Sequence, residues 1–212
     1  MNEVLELYRK KELPEDVEIK PLFMLDAGDL HKMSMFRTEA IKTCGYVVVT
    51  KKLCRALAKF IGGRKVLEIM CGLGALAKGL RTAGVEIRPT DNYTYATYVP
   101  GRVCDQQGTA WLDDIECIDA VEAVRKYGKN YDIILLSWSP YSNEVDCDIL
   151  KAMREVNSNA IMIVITEDCG GCCNSDRFFD EAEELEIEEI EEINATAFRS
   201  HVGIHDRINV YK

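Results

Sequence analysis

Long apolar runs are missing. No stretch of 18 apolar residues occurs among the 212, so no membrane-spanning helix is expected. A basic excess is missing as well: 26 Lys and Arg stand against 36 Asp and Glu, a net charge of −10. Nothing reads as a basic groove, and tight non-specific binding of nucleic acid is disfavoured. The acidity is local. Residues 180–192 hold nine acids and no base, and taking those nine charges from −10 leaves −1, so a solvated acidic face is expected there. The N-terminal segment is charged throughout and has no apolar signal core, which predicts a cytoplasmic location. A second cysteine pair at ligand spacing is missing too. Cys169 and Cys172 form one C-x-x-C, and no metal centre is expected from it alone. The nine cysteines are odd in number and scattered, several in expected core elements (Cys54, Cys71, Cys117). They suit a reducing compartment better than a disulfide framework.

What is present is enough apolar chain, 47%, for one ordinary core. The chain is organised around Lys65–Asp91. Val66, Leu67 and Ile69 predict a strand, Cys71–Gly74 a tight turn, Ala75–Arg81 a helix, and Val85–Thr90 a second strand. This is a βαβ unit of the doubly wound type. Gly72 and Gly74 let a ligand press against the backbone. The turn opens a helix whose free N–H groups favour electron-rich ligand atoms. Asp91, where the second strand should end, can accept both hydroxyls of a ribose. A nucleoside-containing cofactor is therefore expected.

Two cofactors fit the spacing. Gly72-Leu73-Gly74-Ala75-Leu76-Ala77 matches the dinucleotide pattern G-x-G-x-x-G/A, with Asp91 as its acid. Glu68, inside the first strand, suits instead a ligand with a cationic amino-acid tail, whose ammonium it can anchor directly or through water. On Glu68, Gly72 and Gly74 the stretch resembles motif I of the class I S-adenosylmethionine (SAM)-dependent methyltransferases. One departure stands out: Met70 occupies the first glycine position, which the turn tolerates if Met70 keeps a negative φ.

The rest of the chain extends the resemblance over residues 45–212, with residues 1–44 as a helical or irregular extension and a candidate lid. Residues 21–45 carry Met24, Met33, Met35 and Phe36, either a mobile substrate-facing segment or ordinary packing. Tyr46 precedes an amphipathic helix, Lys51–Phe60, where the family closes over its cofactor. Asn92 follows Asp91. Tyr93, Tyr95, Tyr98 and Trp111 are candidates for a pocket or a sheet edge, and Gln106-Gln107-Gly108 reads as a turn. Ile115–Ile118 predicts a short third strand. Asp119 and Ala120 after it resemble the family's Asp-Ala pair, which implies a contact with the adenine amino group. Asp119 also suits an N-cap for a helix over Ala120–Tyr127.

Tyr131–Leu136 predicts a buried strand. It delivers Ser137-Trp138-Ser139-Pro140-Tyr141 to the sheet edge where ligands bind in open α/β folds. This position corresponds to motif IV of the family. The Pro-Tyr of its Asn/Asp-Pro-Pro-Tyr/Phe form is kept, and the amide or acid is absent. A helix over Val145–Val156, a strand over Ala160–Ile165 and a helix from Ser175 through Leu185 are expected next. Ile187–Ala195 fits a helix or a sixth strand, and the topology favours the strand. A final strand ends near Tyr211. The expected fold is thus α/β and Rossmann-like, a seven-stranded sheet that is mostly parallel with an antiparallel last strand.

The expected function is SAM-dependent methyl transfer to an unidentified acceptor. The alternatives are an NAD(P)-dependent oxidoreductase and a catalytically silent cofactor-binding or scaffold protein. The candidate cofactor residues are Tyr46, Glu68, Met70, Cys71, Gly72, Gly74, Asp91, Asn92, Asp119, Ala120 and Ser137. Ser137, Trp138 and Tyr141 are the candidates for orienting the acceptor, and Glu167 or His205 for taking a proton. His201 and His205 share a connecting loop.

Overall fold

The computed structural model describes residues 1–94, 109–141 and 143–212. Tyr95, Tyr98 and the turn expected at 106–108 lie outside the described residues.

The expected βαβ unit is β1 (Val66–Ile69), α4 (Ala75–Thr82) and β2 (Ile87–Asp91). Before it come α1 (Asn2–Arg9), α2 (Ala27–Thr43) and α3 (Lys51–Ile61). After it come β3 (Glu116–Cys117), α5 (Ala120–Tyr127), β4 (Ile133–Ser137), α6 (Val145–Val156) and β5 (Ile161–Thr166). The chain closes with α7 (Asp176–Glu181), α8 (Glu188–Thr196) and β6 (Arg207–Tyr211). The strand order is β3-β2-β1-β4-β5-β6. All neighbours pair in parallel except β5 and β6.

Alternation along the strands sends side chains to two cores. Val66, Ile133, Leu135, Ile163 and Ile208 pack with the side holding α1, α3, α4 and α8. Leu67, Ile69, Ile134, Leu136 and Met162 pack with the side holding α5, α6 and α7. The helices therefore cover both faces of the sheet, as doubly wound architecture requires.

Six strands form among the described residues, where seven were expected. The segment expected as that strand, 187–195, is instead helical from Glu188 on, in α8, with Ile187 as its N-cap. Ile190 and Ile193 are its buried residues, a helical and not an alternating spacing. Glu188, Glu189 and Glu191 lie in its first turn, where acids favour the helix dipole. What remains of a sixth strand is the isolated bridge between Glu184 and Tyr211, with Leu185 N–H donating to the Val210 carbonyl at 2.8 Å. The helix expected through Leu185 accordingly stops at Glu181. The nine acids of residues 180–192 are all exposed, as a solvated face should be.

The N-terminal residues join the core on the α3 side. Tyr8 is 1% exposed, donates to the Val49 carbonyl at 2.9 Å and packs edge-on against Trp111. The Pro14 and Glu15 carbonyls accept from Lys51 N–H and Lys52 N–H, two of the donors that the start of α3 leaves free. Met33 and Phe36 are buried, while Met24 and Met35 are exposed. No helix among the described residues is long and apolar enough to cross a membrane.

Candidate active site

The carboxyl ends of β1, β2, β4 and β5 lie along one edge of the sheet, and a cavity of about 510 Å³ opens there. Its wall takes residues from α2 through the loop after β5. Glu68, Met70, Cys71 and Gly72 come from β1 and the turn after it, and Asp91 and Asn92 from the tip of β2. Ser137, Trp138 and Ser139 follow β4, and Tyr46 arrives from the segment before α3.

The turn after β1 is held by Asp91. Its Oδ2 accepts from Gly72 N–H at 2.8 Å and its Oδ1 from Tyr93 N–H at 2.6 Å. Gly72 and Gly74 have φ of 57° and 77°, the left-handed region that glycine enters without cost. A Cβ on Gly74 would come 2.8 Å from Ile115 Cδ1, so the end of that side chain would have to shift. Met70 departs from the expectation: its φ is 54°. Met70 thus takes a glycine-like backbone and carries its strain, on the order of 1–2 kcal/mol. Trp138 has φ 56°. Two bulky residues on the cavity wall thus occupy conformations that such side chains rarely adopt.

Glu68 is 2% exposed, and its Oε2 has no hydrogen-bond partner among the described residues. Burial, with the Asp91 charge second, pushes its carboxyl up to about 8. A buried carboxyl without an ion-pair partner is costly to ionise, and the more distant Arg81 charge offsets this only in part, so this position fits a ligand that brings its own positive charge. Burial also raises Asp91, against the pull of its two backbone donors.

Tyr46 and Trp138 stack, with ring centroids 5.0 Å apart and planes 17° from parallel. Trp138 Nε1 donates to Asp206 Oδ2 at 3.0 Å. Asp206, in the loop before β6, is buried and its carboxyl is raised by that burial. Ser137 Oγ and Ser139 Oγ are buried without partners among the described residues, leaving donors and acceptors open at the floor of the cavity.

The structure brings together Tyr46, Glu68, Met70, Cys71, Gly72, Asp91, Asn92, Ser137 and Trp138. Gly74 shapes the turn from behind. Asp119 caps α5 by accepting from Val121 N–H at 2.9 Å and Glu122 N–H at 3.3 Å, and neither it nor buried Ala120 reaches the cavity wall. Tyr141 is 47% exposed and lies beyond Pro140, which does line the cavity. Glu167 has both oxygens occupied: Oε1 accepts from His205 N–H at 2.9 Å and Oε2 from Cys172 N–H at 2.7 Å. Burial opposes ionisation of Glu167, but those two donors keep its carboxyl below its ordinary value. It ties the loop after β5 to the loop before β6, and neither it nor exposed His205 lines the cavity. No group of three metal-ligating side chains gathers among the described residues. Sequence reasoning missed Arg37, Cys44, Cys172 and Cys173 on the wall and Asp206 behind it. They come from α2 and its end, the loop after β5 and the loop before β6, and only Cys172 and Cys173 are neighbours in sequence.

No protein-family model matches the chain, and no curated protein does either. Solved structures do match. TehB from Haemophilus influenzae is 15% identical, over 83% of this chain and 66% of that one, with a TM-score of 0.43. A SAM-dependent methyltransferase from Archaeoglobus fulgidus is 16% identical, over 88% and 100%, at 0.44. The magnesium protoporphyrin IX methyltransferase of Synechocystis, solved with bound SAM, is 12% identical, over 99% and 95%, at 0.45. At these scores the likeness bears no weight for the chemistry, which rests on the cavity itself.

Proposed function

We propose that the chain is a SAM-dependent methyltransferase. The observation that carries this reading is the unpartnered buried Oε2 of Glu68, on the same cavity as the Gly72 turn and Asp91. Glu68 would hold the ammonium of the cofactor's amino-acid tail, and Asp91 would accept from its ribose while keeping the turn in place. Asn92 and Cys71 would flank the nucleoside. When bound, the sulfonium supplies an electrophilic methyl group. The protein's part is to align the acceptor with that methyl and to exclude water. Trp138 and Tyr46 present aromatic surface, which favours a cation beside it, and Ser137 and Ser139 offer hydrogen bonds to the acceptor.

A dinucleotide is disfavoured on charge. Its pyrophosphate at the Gly72 turn would lie beside two acids, Glu68 and Asp91. Calorimetry with S-adenosylhomocysteine (SAH) and with NAD separates the two: SAH should bind and NAD should not. NAD binding with SAH silent would overturn the reading. Transfer of a labelled methyl group from SAM to acceptor pools then distinguishes an enzyme from a silent cofactor-binding protein.

A further inference from the structure

Arg37 has neither a hydrogen-bond acceptor nor an ion pair among the described residues. The other described arginines each have one: Arg9, Arg55, Arg81, Arg88, Arg125, Arg177, Arg199 and Arg207 meet carboxylates, and Arg64 and Arg154 meet backbone carbonyls. Arg37 is partly buried and lines the cavity. A guanidinium carries five donors in a fixed fork that matches a carboxylate or phosphate, and here that fork is unspent.

Its position divides the cavity by charge. Asp91 and Glu68 stand at β2 and β1. Arg37 follows Phe36, whose ring lies 5.9 Å from His201 in the loop before β6. The Arg37 charge, after burial, helps hold His201 below its ordinary value, at about 4. In the order β3-β2-β1-β4-β5-β6, the two acids on the cavity wall are thus on one side of Trp138, which leaves β4, and the cation borders the other. Asp206 and Glu167 also lie on that second side, off the wall, with Asp206 bonded to Trp138 Nε1 and Glu167 to the His205 and Cys172 N–H groups. A cationic ligand suits the first half, and an anionic one the second.

We infer that Arg37 recognises an anionic group, a carboxylate or phosphate, on a flat-ringed acceptor whose ring lies along the Tyr46–Trp138 wall. This rests on the methyltransferase reading, since the acid half must be filled by the cofactor. Arg37 would set acceptor specificity and leave cofactor affinity untouched.

The test uses the full chain and its Arg37→Gln and Arg37→Lys variants. SAH is titrated first by calorimetry. Benzoate, phenyl phosphate and benzamide are then titrated into SAH-saturated protein, with tryptophan fluorescence as the readout. Benzoate, phenyl phosphate or both should bind the parent protein. Arg37→Gln should weaken that binding at least tenfold, and Arg37→Lys should weaken it less. Benzamide should bind no tighter to the parent than to Arg37→Gln, and SAH affinity should stay within about threefold across the three proteins. The proposal is overturned if neither anion binds the parent, or if the anions bind Arg37→Gln equally well. It is overturned too if Arg37→Gln weakens SAH with the anions unaffected, which would assign Arg37 to the cofactor's own carboxylate. If SAH fails to bind the parent, the methyltransferase reading has failed, and the same anion titrations into ligand-free protein still report on Arg37.

Discussion

Glu68 and Asp91 are two buried acids on adjacent parallel strands, and neither forms an ion pair among the described residues. They differ in what each carboxylate meets. Asp91 has two backbone donors, from Gly72 and Tyr93, whereas Glu68 Oε2 has none among the described residues. Ionising Glu68 beside Asp91 is therefore costly until a positive group arrives.

Stability should therefore depend on pH in a particular direction. The folded carboxyl of Glu68 is raised from 4.5 to about 8. Between those values the folded chain holds a proton that the unfolded chain has lost. Its stabilising contribution is full below pH 4.5 and is lost as pH rises through 8. His201, lowered from 6.5 to about 4, acts oppositely: its contribution is full above 6.5 and is lost as pH falls through 4. The window from 6.5 to 8 thus leaves His201 out, while Asp91 and Asp206, both raised by burial, act in the same sense as Glu68. Urea denaturation should show stability falling across it by an amount on the order of 1–2 kcal/mol, and Glu68→Gln should flatten the slope. A flat profile in the parent protein would contradict this account of the site.

Ligand binding should reverse that dependence. An ammonium on Glu68 requires the carboxylate, so SAH must displace the proton. Affinity should rise with pH towards 8 by up to about tenfold per unit, and the calorimetric heat should vary with the ionisation enthalpy of the buffer. The Glu68→Gln variant should lose both effects. Adenosine, which lacks the amino-acid tail, should show neither in the parent protein.

Met70 offers a test of backbone strain. At φ 54° a β-branched side chain is worse off than an unbranched one, and glycine is unstrained. Met70→Val should cost about 1–2 kcal/mol relative to the parent, and Met70→Gly should be more stable than Met70→Val. Denaturant midpoints of the three proteins check the order. Equal midpoints for Met70→Val and the parent would mean that the turn relaxes to a negative φ.

The 27 residues from Lys65 to Asp91 were legible because everything they need is local: two short apolar strands, two glycines and two acids. The Met70 backbone was not, because methionine gives no sign of a left-handed conformation, whereas glycine does. The α8 segment was legible in its own period, since Ile190 and Ile193 fall at helical spacing. The expectation of a seventh strand came from topology, and local spacing overrode it. Arg37, Cys173 and Asp206 reach the site through tertiary packing alone. Asp206, for instance, is 68 residues from the Trp138 ring that it positions.

That pair makes the next prediction. Asp206 accepts from Trp138 Nε1 and is buried. Asp206→Asn keeps an acceptor oxygen, whereas Asp206→Ala leaves a buried indole N–H unpaired, at a cost of about 1–3 kcal/mol. Asp206→Ala should shift the tryptophan emission and lower stability, and Asp206→Asn should do less of both. The Trp138→Phe background should abolish the spectral difference, because the other tryptophan, Trp111, donates to the Thr43 carbonyl instead.

Asp91 separates holding the turn from holding the ligand. Its Oδ2 fixes Gly72 and its Oδ1 fixes Tyr93, so Asp91→Ala orphans two N–H groups at about 1–3 kcal/mol each if they stay buried. Asp91→Asn keeps one acceptor oxygen and loses the other. If the carboxylate also accepts from a ribose, SAH affinity should fall at least tenfold in Asp91→Asn even where its denaturation midpoint stays near that of the parent. If affinity falls only in proportion to lost stability across the two variants, Asp91 serves the turn and not the ligand. Full affinity in Asp91→Ala would remove the nucleoside from this part of the cavity altogether.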